Sequence, residues 1–406
     1  MRFIVQKFGG TSLVSQDKRD IAVSRVIQAK QEGYAPVVVV SAMGRAGDPY
    51  ATDTLLSFAC SGNTELAPRE GDLLMSCGEI ISGVIMAATI QKTGCPAVFL
   101  TGSQAGIITD SAYNEARILR VEPEYIMQHA SAGKIVVVAG FQGVTQQGEI
   151  TTLGRGGSDT TAAALGVALD AAWVDIYTDV EGIMTADPRI VEDALPLENI
   201  TYNEICQLAH EGAKVIHPRA VEIVMQKGIP LRIKSTFSGG PGTLVTAQGE
   251  MQNGSIDITR DRTVTGITYI SDITQIKIIA DTITDKIDFQ KKIFKGLALA
   301  GISVDFINVH PDVILFTVKN TNVAKAVQVL ENIGISPQVL PDCAKIAAVG
   351  AAMTGVPGVM AKIVEALARE QIAILQSADS YTTIWVLVKK EDMEKGIRAL
   401  HRAFRQ

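Results

Sequence analysis

The chain has 406 residues, 47% hydrophobic and 20% charged, with a formal net charge of -6. That length exceeds one ordinary core, so two or three domains are expected, and the acidic balance excludes a general affinity for nucleic acid or anionic lipid while leaving room for a local basic pocket. Five scattered cysteines with no CxxC pair exclude a disulfide framework or a zinc ribbon and read as buried thiols. With no charged-then-apolar leader and no apolar run near the roughly 20 residues of a bilayer span, we expect a cytoplasmic protein with no membrane partner.

The first element is the strand-like FIVQKF, which runs through Lys7 into Gly9, Gly10, Thr11 and Ser12. Bare amides beside a lysine suit a phosphate, and an ordinary Gly-Gly turn with a solvated lysine fits the same octapeptide equally well. Further apolar runs follow at 36–41, 97–100, 135–140, 173–178 and 230–235, separated by helical patterns. Continuous β-branched strands alternating with helices predict a mostly parallel sheet covered on both faces. The segments GGTS, SAMG and GFQG each follow a strand, which places them at one rim, where ligands gather in such sheets.

In SCGEIISG, 76–83, Glu79 reads as the start of a small-residue helix, where it serves as a cap or as a ligand. TLGRGGSDTTAAALG, 152–166, puts Arg155 beside Gly156 and Gly157, with Ser158 or Asp159 placed to cap the following helix. A helix N-terminus with a cation beside it makes a second anion site, and a capped helix with a surface arginine is the plainer alternative. Asp159 would repel a bare phosphate there unless a metal ion or Lys7 stood between them. TDVEGIMTADPR, 178–189, carries Thr178, Asp179, Asp187 and Arg189 around a turn and on its own reads as a solvated loop. GAKVIHPRA, 212–220, offers Lys214 as a phosphate contact and His217 as a structural hydrogen-bonder. The P-loop, the complete G-x-G-x-x-G and H-E-x-x-H patterns are all missing.

The glycine-rich stretch at 238–255 marks a domain boundary. Beyond it, ISVDFINVHPDVILFTVK at 302–319 lies over IAILQSADSYTTIWVLVK at 372–389 at a constant offset of 70. Two copies of one unit follow, each reading strand, helix, strand, strand, helix. The second copy lacks a last strand, and VTGITYI at 264–270 is available to fill the vacancy.

Taken in order, KFGGTS, VSAMG, AGFQG, GRGGSDTTAA, TDVEGIMTADPR and GAKVIHPRA resemble the aspartokinases of the amino-acid kinase family. The resemblance implies an α/β amino-acid kinase domain at 1–245, followed by two ferredoxin-like ACT modules at 262–342 and 343–406. It implies ATP-dependent phosphorylation of the β-carboxylate of L-aspartate, with ATP and Mg2+ as cofactors and no separate metal-ligand set assigned. Another amino-acid kinase on the same scaffold, or a catalytically silent amino-acid sensor, is the alternative.

Position by position, the resemblance makes Lys7 and Asp159 catalytic. Lys7, Gly9, Gly10, Ser12, Ser41, Thr178, Asp179, Thr185, Asp187, Arg189 and Lys214 would meet the nucleotide. Thr52, Glu79, Arg155, Gly156, Gly157 and Ser158 would meet aspartate, with Glu79 on its ammonium and Arg155 on its α-carboxylate. An amino acid or diaminopimelate effector at the ACT modules and a homodimer or larger homo-oligomer are also implied. The loop TGVPGVMAKIV of the second module has no Pro-Gly counterpart in TDKIDFQKKIF of the first, which argues against an effector site on that loop of the first module and leaves lysine, threonine, diaminopimelate or no effector open.

Overall fold

The computed structural model describes residues 1–61, 65–213, 215–247, 263–280, 283, 285–350, 353 and 356–405. They divide into two compact units. Of the described residues, the first takes in 1–61, 65–184, 195–210 and 215–247.

Its elements run β1 (Phe3–Phe8), α1 (Gln16–Gln31), β2 (Ala35–Val40), α2 (Thr52–Ala59), α3 (Pro68–Lys92) and β3 (Ala97–Leu100). Next come β4 (Ile107–Thr109), β5 (Ile118–Val121), α4 (Glu124–Ser131), β6 (Ile135–Ala139), β7 (Gln142–Val144) and β8 (Ile150–Thr152). The unit closes with α5 (Gly157–Ala168), β9 (Trp173–Thr178), β10 (Asn199–Thr201), α6 (Tyr202–His210), α7 (Pro218–Met225), β11 (Leu231–Ser235) and β12 (Thr243–Thr246).

Eight strands form one sheet in the order β10-β12-β11-β9-β1-β2-β6-β3, and only the β11–β12 pairing is antiparallel. The valines of β2 and the whole of β6 are buried, as strands covered on both faces must be. The register sets Phe8 beside Val40 and Tyr177, and Val40 beside Ala139, so β1, β2, β6 and β9 end level with one another. The turns after them therefore share one rim.

A second sheet, β5-β4-β7-β8, was not expected from the sequence. Most of its strands are three residues long, too short to show an alternating pattern. α3 also corrects an expectation, since by length and composition it could cross a membrane. More than half of that stretch is packed inside the unit, and it buries Asp72 and Glu79, as a core helix does. The five thiols are free, and Cys60 and Cys77 are exposed where burial was expected; Cys343 is buried.

The second unit holds β13 (Gly266–Ile279), α8 (Lys286–Leu299), β14 (Asp305–Val309), β15 (Val313–Lys319), α9 (Val323–Asn332), β16 (Gln338–Val349), α10 (Val359–Arg369), β17 (Gln376–Asp379), β18 (Thr383–Lys389) and α11 (Met393–Phe404). Its antiparallel sheet runs β14-β15-β13-β16-β18-β17. The repeat is visible in the packing: Ile293 and Leu297 of α8 are buried in one cluster, Ile363 and Leu367 of α10 in another.

β13 is shared between the copies. Residues 266–270 pair with 349–345 of β16, and after an irregularity at Asp272 the strand continues alongside β15. The two copies start their first helices differently. Asp285 caps α8 by accepting the Asp288 N–H at 3.0 Å, whereas α10 follows a left-handed Gly358. Residues 284, 354 and 355 of the two compared loops lie outside the described residues.

The second unit also takes in Thr185–Ala194 and Glu211–Ala213. Met184 and Pro196 are bridged, so residues 185–194 form a strap whose ends meet in the first unit. Within the second unit, Ala186, Ile190 and Val191 are buried with Ile397 and Leu400 of α11. Arg398 donates to the Ile190 carbonyl at 2.8 Å, and Arg405 pairs with Asp193. Glu211 pairs at 2.9 Å with the buried Lys345.

One ion pair, its carboxylate buried and its guanidinium partly so, ties β9 to β11 in the first unit's sheet. Asp175 on β9 faces Arg232 on β11, which grips both carboxylate oxygens at 2.6 and 2.8 Å beneath the Trp173 ring. Removing one partner strands the other charge. We expect Arg232→Ala to cost about 3–5 kcal/mol of stability, read as a lowered urea midpoint of the first unit's transition; a midpoint equal to the parent's would remove the pair from the balance.

Candidate active site

The rim holds a cavity of about 410 Å³ lined by Lys7, Ser41, Thr52, Glu79, Arg155, Ser158 and Asp159, among others. Each side chain reaches it for a local reason. Lys7 is the penultimate residue of β1, and Ser41 directly follows β2. Thr52 opens α2.

Gly156 stands at φ +66 just before α5, and a Cβ there would lie 2.2 Å from the His217 side chain. A glycine is thus required both by the left-handed turn and by the close approach. The turn makes Gly156 the N-cap, so neither Ser158 nor Asp159 caps α5 as expected; both sit within its first turn. His217 caps α7 by accepting the Arg219 N–H at 3.3 Å, in keeping with the structural role read for it.

Lys7 and Asp159 meet at 2.7 Å, both largely shielded from solvent. Gly10 follows β1 where a Cβ would lie 2.3 Å from the Ala42 carbonyl, so the turn admits no side chain. Arg155 is exposed and has no hydrogen-bond or ion-pair partner among the described residues. The site thus has a neutralised pair at one point and a free cation at another, with the first turn of α5 beside them; there Gly157 donates to the Gly154 carbonyl at 3.0 Å and Thr160 to the Gly156 carbonyl at 3.0 Å, which leaves the Ser158 and Asp159 amides without an acceptor among the described residues.

Glu79 lies in the middle of α3, not at a helix start. The signal for the true start was present: Pro68 at the first helical position with Glu70 close behind. One Glu79 oxygen accepts the Ala42 N–H at 3.0 Å, and the other is buried with no partner among the described residues. Burial pushes its carboxyl up to about 8, partly offset by the Ala42 hydrogen bond. An uncommitted oxygen on a buried acid can receive a cation.

The remaining expected residues fall in three places. Gly9 donates to the Tyr177 carbonyl at 3.4 Å; the Ser12 hydroxyl is fully buried and bonded to Thr236 at 2.7 Å, away from the cavity. Thr236 in turn donates to the Thr178 carbonyl, so Ser12 and Thr178 belong to one linked set of rim loops, and Asp179 is met by Arg45 at 2.8 Å. Thr185, Asp187 and Arg189 belong to the second unit, where Thr185 bonds His401 at 2.9 Å and Arg189 grips Asp187, holding its carboxyl below the usual range. Lys214 lies outside the described residues.

Sequence reasoning missed Met75, Asn114 and Phe141 on the cavity wall. Phe141 stands within the AGFQG segment, and it and Asn114 take left-handed backbones, at φ +66 and +67, which no local pattern announces for a phenylalanine.

Among the described residues, no group of three or more His, Cys, Asp or Glu side chains could hold a metal ion. Asp159 offers one carboxylate beside Lys7, a donor set that suits a Mg2+ ion carried on phosphate oxygens and water.

The model of the amino acid kinase family matches residues 2–235, and that of an ACT domain matches 338–402. Aspartokinase 1 of Bacillus subtilis is 51% identical over 404 residues, covering 100% of this chain and 99% of that protein. The aspartokinase of Geobacillus stearothermophilus is 39% identical over 410 residues, covering 100% and 97%. Among solved structures, Clostridium acetobutylicum aspartate kinase matches with a TM-score of 0.80 at 25% identity, over 99% of this chain and 100% of that one. E. coli aspartokinase III has the same fold, with a TM-score of 0.80 at 24% identity and full coverage of both chains.

The Glu79 environment has a measurable cost. Between about pH 4.5 and 8 the folded state keeps a proton on Glu79 that the unfolded chain releases, so its contribution to stability falls as pH rises through that window. Glu79→Gln should therefore raise the melting temperature at pH 8 and leave it nearly unchanged below pH 4.5, by calorimetry at the two pH values; an equal shift at both would show that the acid is not the source.

Proposed function

The chain belongs to the amino acid kinase family, among its aspartokinases, and from that premise we propose that it transfers the terminal phosphoryl group of ATP to the β-carboxylate of L-aspartate, giving 4-phospho-L-aspartate. This is the first step of the pathway to the aspartate-family amino acids. The observation that carries the reading is the pairing of Lys7 with Asp159 in one cavity with a free Arg155 and an uncommitted Glu79 oxygen.

The chemistry needs no general base. A β-carboxylate ordinarily titrates at about pH 3.9 and is already ionised at neutral pH. One of its oxygens attacks the terminal phosphorus, the bond from that phosphorus to the ADP oxygen breaks, and no proton moves. The obstacle is the approach of two anions, and catalysis consists of neutralising charge and aligning the reactants. Lys7, oriented by Asp159, supplies a cation at the phosphates, and the amides after β1 and at the start of α5 supply further donors. Mg2+, carried on the phosphates beside Asp159, would cancel additional charge.

Arg155 and Glu79 select the amino acid headgroup by its two opposite charges. The guanidinium takes the α-carboxylate in two-pronged fashion. The ammonium meets the free Glu79 oxygen, and its charge favours ionisation of an acid that is otherwise protonated at neutral pH. Gly9, Gly10, Ser41, Thr178, Asp179 and Lys214 take the nucleotide, while Thr52, Gly156, Gly157 and Ser158 complete the aspartate side; Ser12, bonded to Thr236, and Thr185, Asp187 and Arg189, which belong to the second unit, are left out of this site. The ACT modules bind an amino acid or diaminopimelate effector, the working form is a homodimer or a larger assembly of it, and the enzyme acts in the cytoplasm.

An acceptor panel with hydroxylamine trapping tests the reading, because acyl phosphates are captured as hydroxamates. Aspartate should give the product; a yield only with glutamate or acetylglutamate would overturn the assignment. Lys7→Ala should lower turnover by about 10²-fold or more with the far-ultraviolet spectrum unchanged. Arg155→Lys should raise the aspartate KM about tenfold, since the two-pronged donor is lost; an unchanged KM would take Arg155 out of the headgroup site.

A further inference from the structure

Asp72 lies on α3 seven residues before Glu79 and is fully buried. Seven residues make about two helical turns, so the two acids share one side of α3, roughly 10 Å apart along its axis. Asp72 is saturated with donors. Its oxygens accept the Thr152 N–H at 2.8 Å, the Thr152 hydroxyl at 2.7 Å, and the Asn114 N–H at 3.0 and 3.1 Å. Thr152 ends β8, three residues before Arg155, and Asn114 lines the cavity.

A single rigid helix therefore holds both halves of the headgroup site. Through Glu79 it binds the Ala42 N–H beyond β2, and through Asp72 it binds the strand end that leads into Arg155. We infer that Asp72 is a positioning residue for the reaction. It fixes the distance between the ammonium receptor and the carboxylate receptor, and so the affinity for aspartate, without touching substrate. A charged acceptor suits that task, because hydrogen bonds to a carboxylate are stronger than those to a neutral oxygen. The inference rests on the headgroup roles given above to Glu79 and Arg155.

Two variants test it in the full-length enzyme. Asp72→Asn keeps the shape and removes the charge and one acceptor; Thr152→Val removes a single hydroxyl donor. We expect Asp72→Asn to raise the aspartate KM about tenfold and Thr152→Val about three- to fivefold. In both, kcat and the ATP KM should stay within twofold, a split that general loosening of the fold would not give. If Asp72→Asn does not fold, Thr152→Val decides alone. Folded variants with the parent aspartate KM, or with both substrate KM values raised together, would overturn the inference. If Arg155→Lys also leaves the aspartate KM unchanged, the headgroup reading itself has failed; if Arg155→Lys raises it, only the role of Asp72 falls.

Discussion

The ion pair between Lys7 and Asp159 is the contact on which the catalytic unit depends. It joins the end of a central parallel strand to the first turn of a helix, and it puts a cation where a helix N-terminus already favours negative charge. The remaining features serve that meeting. The level ends of β1, β2, β6 and β9 bring the turns together, and Gly10 and Gly156 let backbone approach where a side chain would collide. Arg155 has no partner among the described residues, so its charge is available to a ligand.

The cost of function is local and visible in α3. A buried, half-partnered acid such as Glu79 adds nothing to the stability of a core helix, yet it leaves an oxygen ready for a cation. Asp72, two turns earlier on the same side, is the opposite case: every bond it can use is made within the protein. On the proposed reading, a ligand completes the first and the second holds the helix still.

Much of the architecture was legible because it rests on strong local patterns. The β-branched runs marked the strands of the main sheet, and an offset of 70 residues exposed the repeat in the second unit. The amide-rich turns flanking Lys7 and Arg155 pointed at one rim. Other features were illegible for equally physical reasons. Asp72 looks like any solvated charge near a helix start, since its donors lie 42 and 80 residues away. Glu79 was misplaced because the small residues around it resemble a helix start, and the weight belonged on Pro68. Ser12 sits in the right motif, yet its hydroxyl is taken up by Thr236, a partner 224 residues away.

The strap at 185–194 bears on how the chain can be divided. Its ends close on each other at Met184 and Pro196, while Ala186, Ile190 and Val191 lie in an oily layer with α11. Severing the polypeptide at the glycine-rich stretch near 245 would leave the N-terminal fragment with three sticky side chains bare. The C-terminal fragment would keep an unfilled seam along its last helix. Each piece would carry what the other lacks, so the two fragments are best produced in the same cell and allowed to find each other.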